Sequence, residues 1–122
     1  MKTTKLKHII KKIFIEHKLI NDHASICAEA LINAELVGAP SHGLSRLKMY
    51  CDRIKKKVIN PKPKIKVKKI SESISYIDAD NSIGFVAANT AIKTAIKNAK
   101  KTGIGLVAVK NSGHYGLSGY YA

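Results

Sequence analysis

The sequence predicts an α/β fold in which N-terminal helices are followed by the strands and helices of a mixed sheet. Three observations carry that prediction. Up to about residue 58, apolar side chains recur at the helical period. From Asn60 onward, short apolar runs alternate with one helical stretch. Residues 104–109 then form a continuous apolar run that leads into a loop holding Gly113, Gly116 and Gly119. A strand that ends in a glycine-rich polar loop marks the edge where an α/β sheet opens to a ligand. The chain has 122 residues, room for one domain.

Residues 5–18 read as the first helix. Leu6, Ile9, Ile10, Ile13 and Phe14 form its apolar stripe, and Lys7, Lys11, Lys12 and Lys18 lie mostly outside it. His8 and His17 fall on its surface and have no assigned role. Asn21 or Asp22 is the predicted N-cap of a second helix. That helix runs to about Val37, with Ile26, Ala30, Ala34 and Val37 on one face and His23 exposed in its first turn. Gly38 suits the C′ position, and Pro40 blocks continuation. A third helix is predicted to start after Gly43. Leu44, Leu47, Cys51, Ile54 and Val58 are its buried stripe, with Arg46, Tyr50 and Arg53 on a different face.

Asn60-Pro61-Lys62-Pro63 is an extended connector. Residues 65–70 and 74–79 read as two strands of a hairpin across Ser71-Glu72-Ser73, and Asp80-Asn81-Ser82 has turn chemistry. The helical period returns over 84–101. Ala87, Ala88, Ala91, Ala95 and Ala99 give that helix a small-residue face suited to close approach to a sheet, with Lys93, Lys97 and Lys100 outside. Gly103 ends it. Residues 104–109 are predicted to be a buried strand, and 116–122 the first turns of another helix.

Charge and cysteine usage narrow the function classes. The chain carries 22 Lys and Arg against 8 Asp and Glu, a formal charge of +14. Nearly all the basic charge is lysine spread along the chain, and Arg46 and Arg53 are the only arginines. A drift toward Lys and Ile accounts for this without a polyanion, and scarce arginine argues against nucleic acid as partner. Cys27 and Cys51 have no CxxC or Cys/His metal spacing and fall on apolar helical faces, as small core residues of a reducing compartment do. There is no secretory-type apolar segment, and no run approaches the roughly 18 apolar residues of a membrane span. The expectation is a cytoplasmic chain with no membrane partner.

Two constellations suggest chemistry. Ser41, His42, Arg46 and Tyr50 place a hydroxyl, an imidazole, a guanidinium and a phenol about one turn apart, at a predicted helix start that favours anions. The plainer alternative is a Ser N-cap, a surface histidine and a solvated arginine. Ser112 and His114 directly follow the strand end. An imidazole with an ordinary pKa near about 6.5 suits proton transfer at neutral pH, whereas the plainer alternative is a glycine-rich turn around a structural histidine. Other motifs fail. Gly103-Ile104-Gly105-Leu106-Val107-Ala108 fits G-x-G-x-x-A, but it follows a helix and opens a strand, the reverse of a dinucleotide fingerprint. Ser112 and His114 lack the G-x-S-x-G elbow of a serine hydrolase, and no histidine spacing assigns a metal.

Taken in order, Gly38-x-x-Ser41-His42-Gly43-x-x-Arg46-x-x-x-Tyr50, Ile59-Asn60-Pro61, Asp80-x-x-x-Gly84 and Asn111-Ser112-x-His114-x-Gly116-x-x-Gly119-Tyr120 have the spacing of one family. Over essentially its whole length the sequence resembles the malate/L-lactate dehydrogenase family, the type-2 nicotinamide-dependent oxidoreductases unrelated to the Rossmann-fold lactate and malate dehydrogenases. Lys57 departs from it, standing where the family usually has glycine. The resemblance implies a non-Rossmann fold and hydride exchange between NAD or NADP and a 2-oxo acid, giving a 2-hydroxy acid. It implies His42 and His114 as catalytic residues, either of them serving as the acid/base. It implies Ser41, Arg46, Tyr50 and Ser112 as substrate-binding residues, with Arg46 holding a carboxylate bidentately.

Family members are much longer and commonly dimeric. The resemblance therefore implies that 1–122 is the N-terminal portion of a single incomplete domain, apparently truncated. Most cofactor-binding residues would lie beyond Ala122, and the isolated chain would not turn over. The implied partners are a small 2-oxo or 2-hydroxy acid and, in the complete protein, a second copy. Two alternatives stay open: a basic noncatalytic binding module using the lysines of 5–18 and 93–101, and an inactive truncated pseudoenzyme.

Overall fold

A computed structural model describes residues 2–122. Helices α1 (Thr3–Glu16) and α2 (Asn21–Leu36) pack on each other. α1 buries Ile10 and Phe14. α2 buries Ala24, Cys27, Ala28, Ala30, Leu31, Ile32 and Ala34, a set wider than one stripe, because it also packs on α4 (Gly84–Thr102). The predicted face of α2 fails at Val37, which is exposed past the helix end, and His23 is half-buried rather than exposed. Ile20, not Asn21 or Asp22, is the N-cap, and it makes no side-chain cap bond. Asp22 sits instead in the first turn, where its charge favours the helix dipole.

The first three helices end the same way. Lys18 and Leu19 donate to the carbonyls of Ile15 and Phe14 (2.9 and 3.1 Å), Gly38 and Ala39 to those of Glu35 and Ala34 (3.1 and 2.8 Å), and Lys57 and Val58 to those of Ile54 and Arg53 (both 3.0 Å). These are the paired closing bonds of a Schellman motif, which needs a left-handed residue at C′. Lys18 (φ 73°), Gly38 (φ 75°) and Lys57 (φ 59°) supply it. Lys57 thus keeps the turn that the family usually builds on glycine, at a conformational cost of about 1 kcal/mol.

The predicted third helix starts later than expected. Pro40–His42 and Leu44–Arg46 form two separate 3-10 turns, and α3 spans Leu47–Lys55. Gly43 (φ −97°, ψ −134°) breaks the helical path between the turns. The Leu44 N–H that follows donates to Glu35 Oε1 of α2 at 2.7 Å. The buried face of α3 is rotated accordingly. Tyr50, placed outside by the sequence reading, is 1% exposed, whereas Val58 is 60% exposed. Tyr50 goes inward because its ring packs on Phe85 of α4, centroids 4.9 Å apart.

Strands β1 (Lys66–Lys69), β2 (Ile74–Ser82) and β3 (Leu106–Ser112) form one mixed sheet in that order. β1 and β2 are the predicted antiparallel hairpin, and β3 runs parallel to β2 after the α4 crossover. Ile77 and Ala79 of β2 pack against Ala87 of α4. Two expectations need correction here. The run 104–109 is not buried: β3 begins at Leu106, itself 60% exposed, because β3 is an edge strand with one neighbour. The small-residue face of α4 does approach the sheet closely, with Ala87 and Ala91 packed with Ile77, Ala79 and Val107 and the Ala95 carbonyl against Gly105, while Ala88, Ala91 and Ala95 also line an open groove of about 440 Å³ with Val107 and Val109. The terminal segment is a 3-10 turn over Ser118–Tyr121, not the start of an α-helix.

Candidate functional site

Three segments converge beside the N-terminus of α4: the first 3-10 turn with His42, α3 with Tyr50, and the loop after β3 with His114. The loop sits close because Gly84 opens α4. A Cβ there would collide with the carbonyl oxygen of His114. Gly116 (φ 78°) turns the chain over Phe85, where a Cβ would meet the aromatic ring.

The hydroxyl of Tyr50 lies 2.7 Å from His114 Nδ1, and the Gly116 N–H donates to the same nitrogen at 3.2 Å. A nitrogen that accepts an N–H bond carries no hydrogen itself, so in this geometry His114 is the neutral tautomer with its hydrogen on Nε2. The charge balance agrees. Loss of water at the loop holds the His114 pKa below its ordinary 6.5, with the charges of His42, Arg46 and Arg53 acting the same way. Burial pushes Tyr50 up to about 12, with Cys27 adding to the rise and Arg46 and Arg53 opposing it. Both groups are therefore neutral near pH 7.

His42 stands nearly parallel to His114, rings 21° apart with centroids at 6.1 Å. Its Nδ1 is 3.0 Å from Ser41 Oγ. Arg46 Nε–H donates to the Ser41 carbonyl at 2.7 Å, which fixes the guanidinium against the turn that carries His42. Arg46 is exposed and makes no ion pair among the described residues, so its terminal N–H groups face solvent or a ligand.

Five of the six sequence-predicted residues are thus brought together: Ser41, His42, Arg46, Tyr50 and His114. Ser112 is not bonded to His114. Its hydroxyl donates to the Gly113 carbonyl at 3.3 Å, and it lines the cleft at the strand ends. The sequence reading missed Glu35, whose carboxylate anchors the turn behind His42 from nine positions away. It gave Asp80 turn chemistry and a place in the family spacing but no contact, and Asp80 accepts from Asn60 Nδ2 (3.0 Å) and the Lys64 N–H (2.8 Å) and so ties the Asn-Pro connector to the end of β2. No group of three or more potential metal ligands exists among the described residues. No helix among them is long and apolar enough to cross a membrane.

The family model described as malate/L-lactate dehydrogenase matches residues 1–122. The malate dehydrogenase of Pyrococcus abyssi is 48% identical over 101 residues, which is 83% of this chain and 28% of that protein. The L-sulfolactate dehydrogenase of Methanocaldococcus jannaschii is 38% identical over 116 residues, 95% of this chain and 34% of that protein. The solved structure of malate dehydrogenase from Pyrococcus horikoshii OT3 superposes with a TM-score of 0.96 at 40% identity, covering 100% of this chain and 35% of that one. The chain therefore spans 28–35% of the length of these relatives.

Proposed function

This chain belongs to the malate/L-lactate dehydrogenase family, and on that premise we propose that it is the substrate-binding portion of an NAD(P)-dependent oxidoreductase. The reaction is interconversion of a 2-oxo acid and a 2-hydroxy acid. The observation that carries this reading is the Tyr50–His114 bond with His42 and Arg46 alongside. The relatives named for malate and sulfolactate handle hydroxy acids with a second acid group, and we extend that substrate class to this protein. By the same resemblance, the complete protein is a cytoplasmic homodimer.

A nicotinamide cofactor, when bound, supplies or accepts the hydride. Neither Gly105 nor Gly116 opens a cradle for its phosphates. Gly105 is pressed against the Ala95 carbonyl at the α4–β3 junction, and Gly116 is occupied by Phe85. We place the residues that hold the cofactor in the part of the relatives that this chain does not span. On this reading the isolated chain has proton machinery without a hydride source and does not turn over.

The substrate carboxylate takes the free N–H groups of Arg46, a charge-assisted and geometrically specific contact. This turns the 2-oxo group toward the imidazoles. It also cancels part of the Arg46 field, one of the charges that depress His114, so protonation of His114 becomes easier once substrate is present. The imidazolium then gives its Nε2 proton to the carbonyl oxygen, while Tyr50 Oη accepts the hydrogen on Nδ1. In the oxidative direction His114 enters as the other neutral tautomer, with hydrogen on Nδ1 donated to Tyr50 Oη, and takes the hydroxyl proton back at Nε2. Tyr50 suits both states because a phenol both donates and accepts. His42, braced by Ser41, offers the second imidazole to the same oxygen, and either ring can be the proton carrier.

The test uses the complete protein with a panel of 2-oxo acids and both reduced cofactors. Replacing the acid/base histidine by alanine is expected to lower kcat by about 10²–10⁴-fold. Tyr50→Phe is expected to shift the pH profile of kcat with a smaller fall. Absence of cofactor oxidation with every 2-oxo acid would overturn the reading.

A further inference from the structure

We propose that the cleft between Arg53 and the carboxyl ends of β2 and β3 is an oxyanion subsite that receives the second acid group of a dianionic 2-oxo acid. The proposal rests on the function proposed above and assigns a specificity element within it.

The cleft has a volume of about 260 Å³, and its walls include Arg53, Asn81, Ser82, Ser112 and Gly113. No carboxylate lines it. Ser82 and Ser112 are paired at the last register position of the parallel strands β2 and β3, at the edge where open α/β sheets bind ligands. Ser82 is 1% exposed, and its Oγ has no hydrogen-bond partner among the described residues. A buried hydroxyl left unpaired is costly, and native structures supply a partner in nearly every case. Ser82 lines the cleft, so rotation of that hydroxyl toward an oxyanion there supplies the acceptor that the described residues do not.

The other donors agree in sign. α4 is 19 residues long and begins two positions after Ser82, with no side-chain cap on Ile83, so the positive end of its dipole points to this region. Arg53 lies three residues beyond Tyr50 on α3 and makes no ion pair among the described residues. Its charge acts on both Tyr50 and His114, which places the cleft within electrostatic reach of the reacting centre. Gly113, on the cleft wall, is the residue before His114. A guanidinium and two serines around a space this small suit a carboxylate or sulfonate. A phosphate of the cofactor shares that chemistry and is the rival source.

The test uses the complete protein with Arg53→Met, assayed with a four-carbon 2-oxo diacid (oxaloacetate) and a monoacid (pyruvate). The expected result is a fall in kcat/KM of about 10–100-fold for the diacid, the worth of a lost charged hydrogen bond, and of less than about threefold for the monoacid. Arg53→Lys should recover part of the diacid rate, and Ser82→Ala should lower it severalfold without loss of fold. An equal fall with both acids overturns the proposal. So does a rise in cofactor KM common to both, which would make the cleft a phosphate seat. A readout without turnover separates this from failure of the function itself. At matched ionic strength, millimolar inorganic sulfate should raise the thermal midpoint of wild type and Arg46→Met but not of Arg53→Met. Protection that survives Arg53→Met and disappears in Arg46→Met overturns the subsite even if no 2-oxo acid is turned over.

Discussion

The helical half and the sheet half of this chain carry similar apolar patterns and have different fates. In the first, Ile10, Phe14, Leu31, Tyr50 and Phe85 belong to one continuous core shared by α1, α2, α3 and the start of α4. In the second, the buried set shrinks to Ile77, Ala79 and Ala87, while Ile96, Ile104, Leu106 and Val109 stay exposed. Sequence period decides which element forms; the number of packed neighbours decides whether its apolar face is covered. β3 has the residues of an interior strand and the environment of an edge, with its outer row of N–H and C=O groups open to pairing. The candidate site lies on the seam, since Tyr50 comes from the closed half and His114 from the open one.

The largest expected effect tests the contrast directly. Phe14→Ala should destabilise the chain by about 3–5 kcal/mol, because it leaves a cavity in a packed core. Leu106→Ala should change stability by less than about 1 kcal/mol, because its side chain is already in water. Chemical denaturation of both variants measures this, and equal losses would break the comparison. A smaller pair acts at the seam. Tyr50→Phe keeps the ring against Phe85 and loses only the bond to His114, at about 1 kcal/mol. Tyr121→Phe keeps a half-buried ring, loses only a solvent-exposed 3.1 Å bond to the Tyr115 carbonyl and should lie within about 0.5 kcal/mol of wild type. Smaller again, Lys57→Gly should stabilise by about 0.5–1 kcal/mol by relieving the left-handed residue after α3. A loss of stability there would mean that the lysine side chain contributes more than the turn strains.

The legible parts of the fold were those set by local chemistry. Helical and strand periods predicted four helices and the β1–β2 hairpin, Gly38 and Gly103 marked two helix ends, and both cysteines are buried as expected. The unread parts depend on partners distant in sequence. Nothing local says that Lys18 and Lys57 close Schellman motifs; the chain turns there to bury Leu19, directly after Lys18, and Ile59, two positions after Lys57. Tyr50 was read as outward because periodicity could not see Phe85 35 positions later. Ser41, His42 and Arg46 were grouped by spacing, but their junction with His114 crosses 64 positions and came only from the family resemblance. Arg53 and Ser82 carried no motif, and their interest arises from an absence of partners that only coordinates reveal.

The subtlest prediction uses protons to ask whether the two halves open together. His23, in α2, and His114, after β3, are both held below the ordinary histidine value, each chiefly by loss of water. The unfolded chain titrates at that ordinary value, 6.5, so between 6.5 and the lower folded values it binds more protons than the native state. Stability therefore falls as pH drops through that window, and the loss is complete below the folded values. Asp52, Glu72 and Asp78, all lowered by hydrogen bonds, lose their contribution separately, as pH falls through the carboxylate range. NMR titration of the two imidazoles in rising urea reads each half on its own. If the sheet half opens first, His114 should return to the ordinary value while His23 stays depressed. A simultaneous return of both would make the seam stronger than its exposed strand suggests, and the chain one cooperative unit.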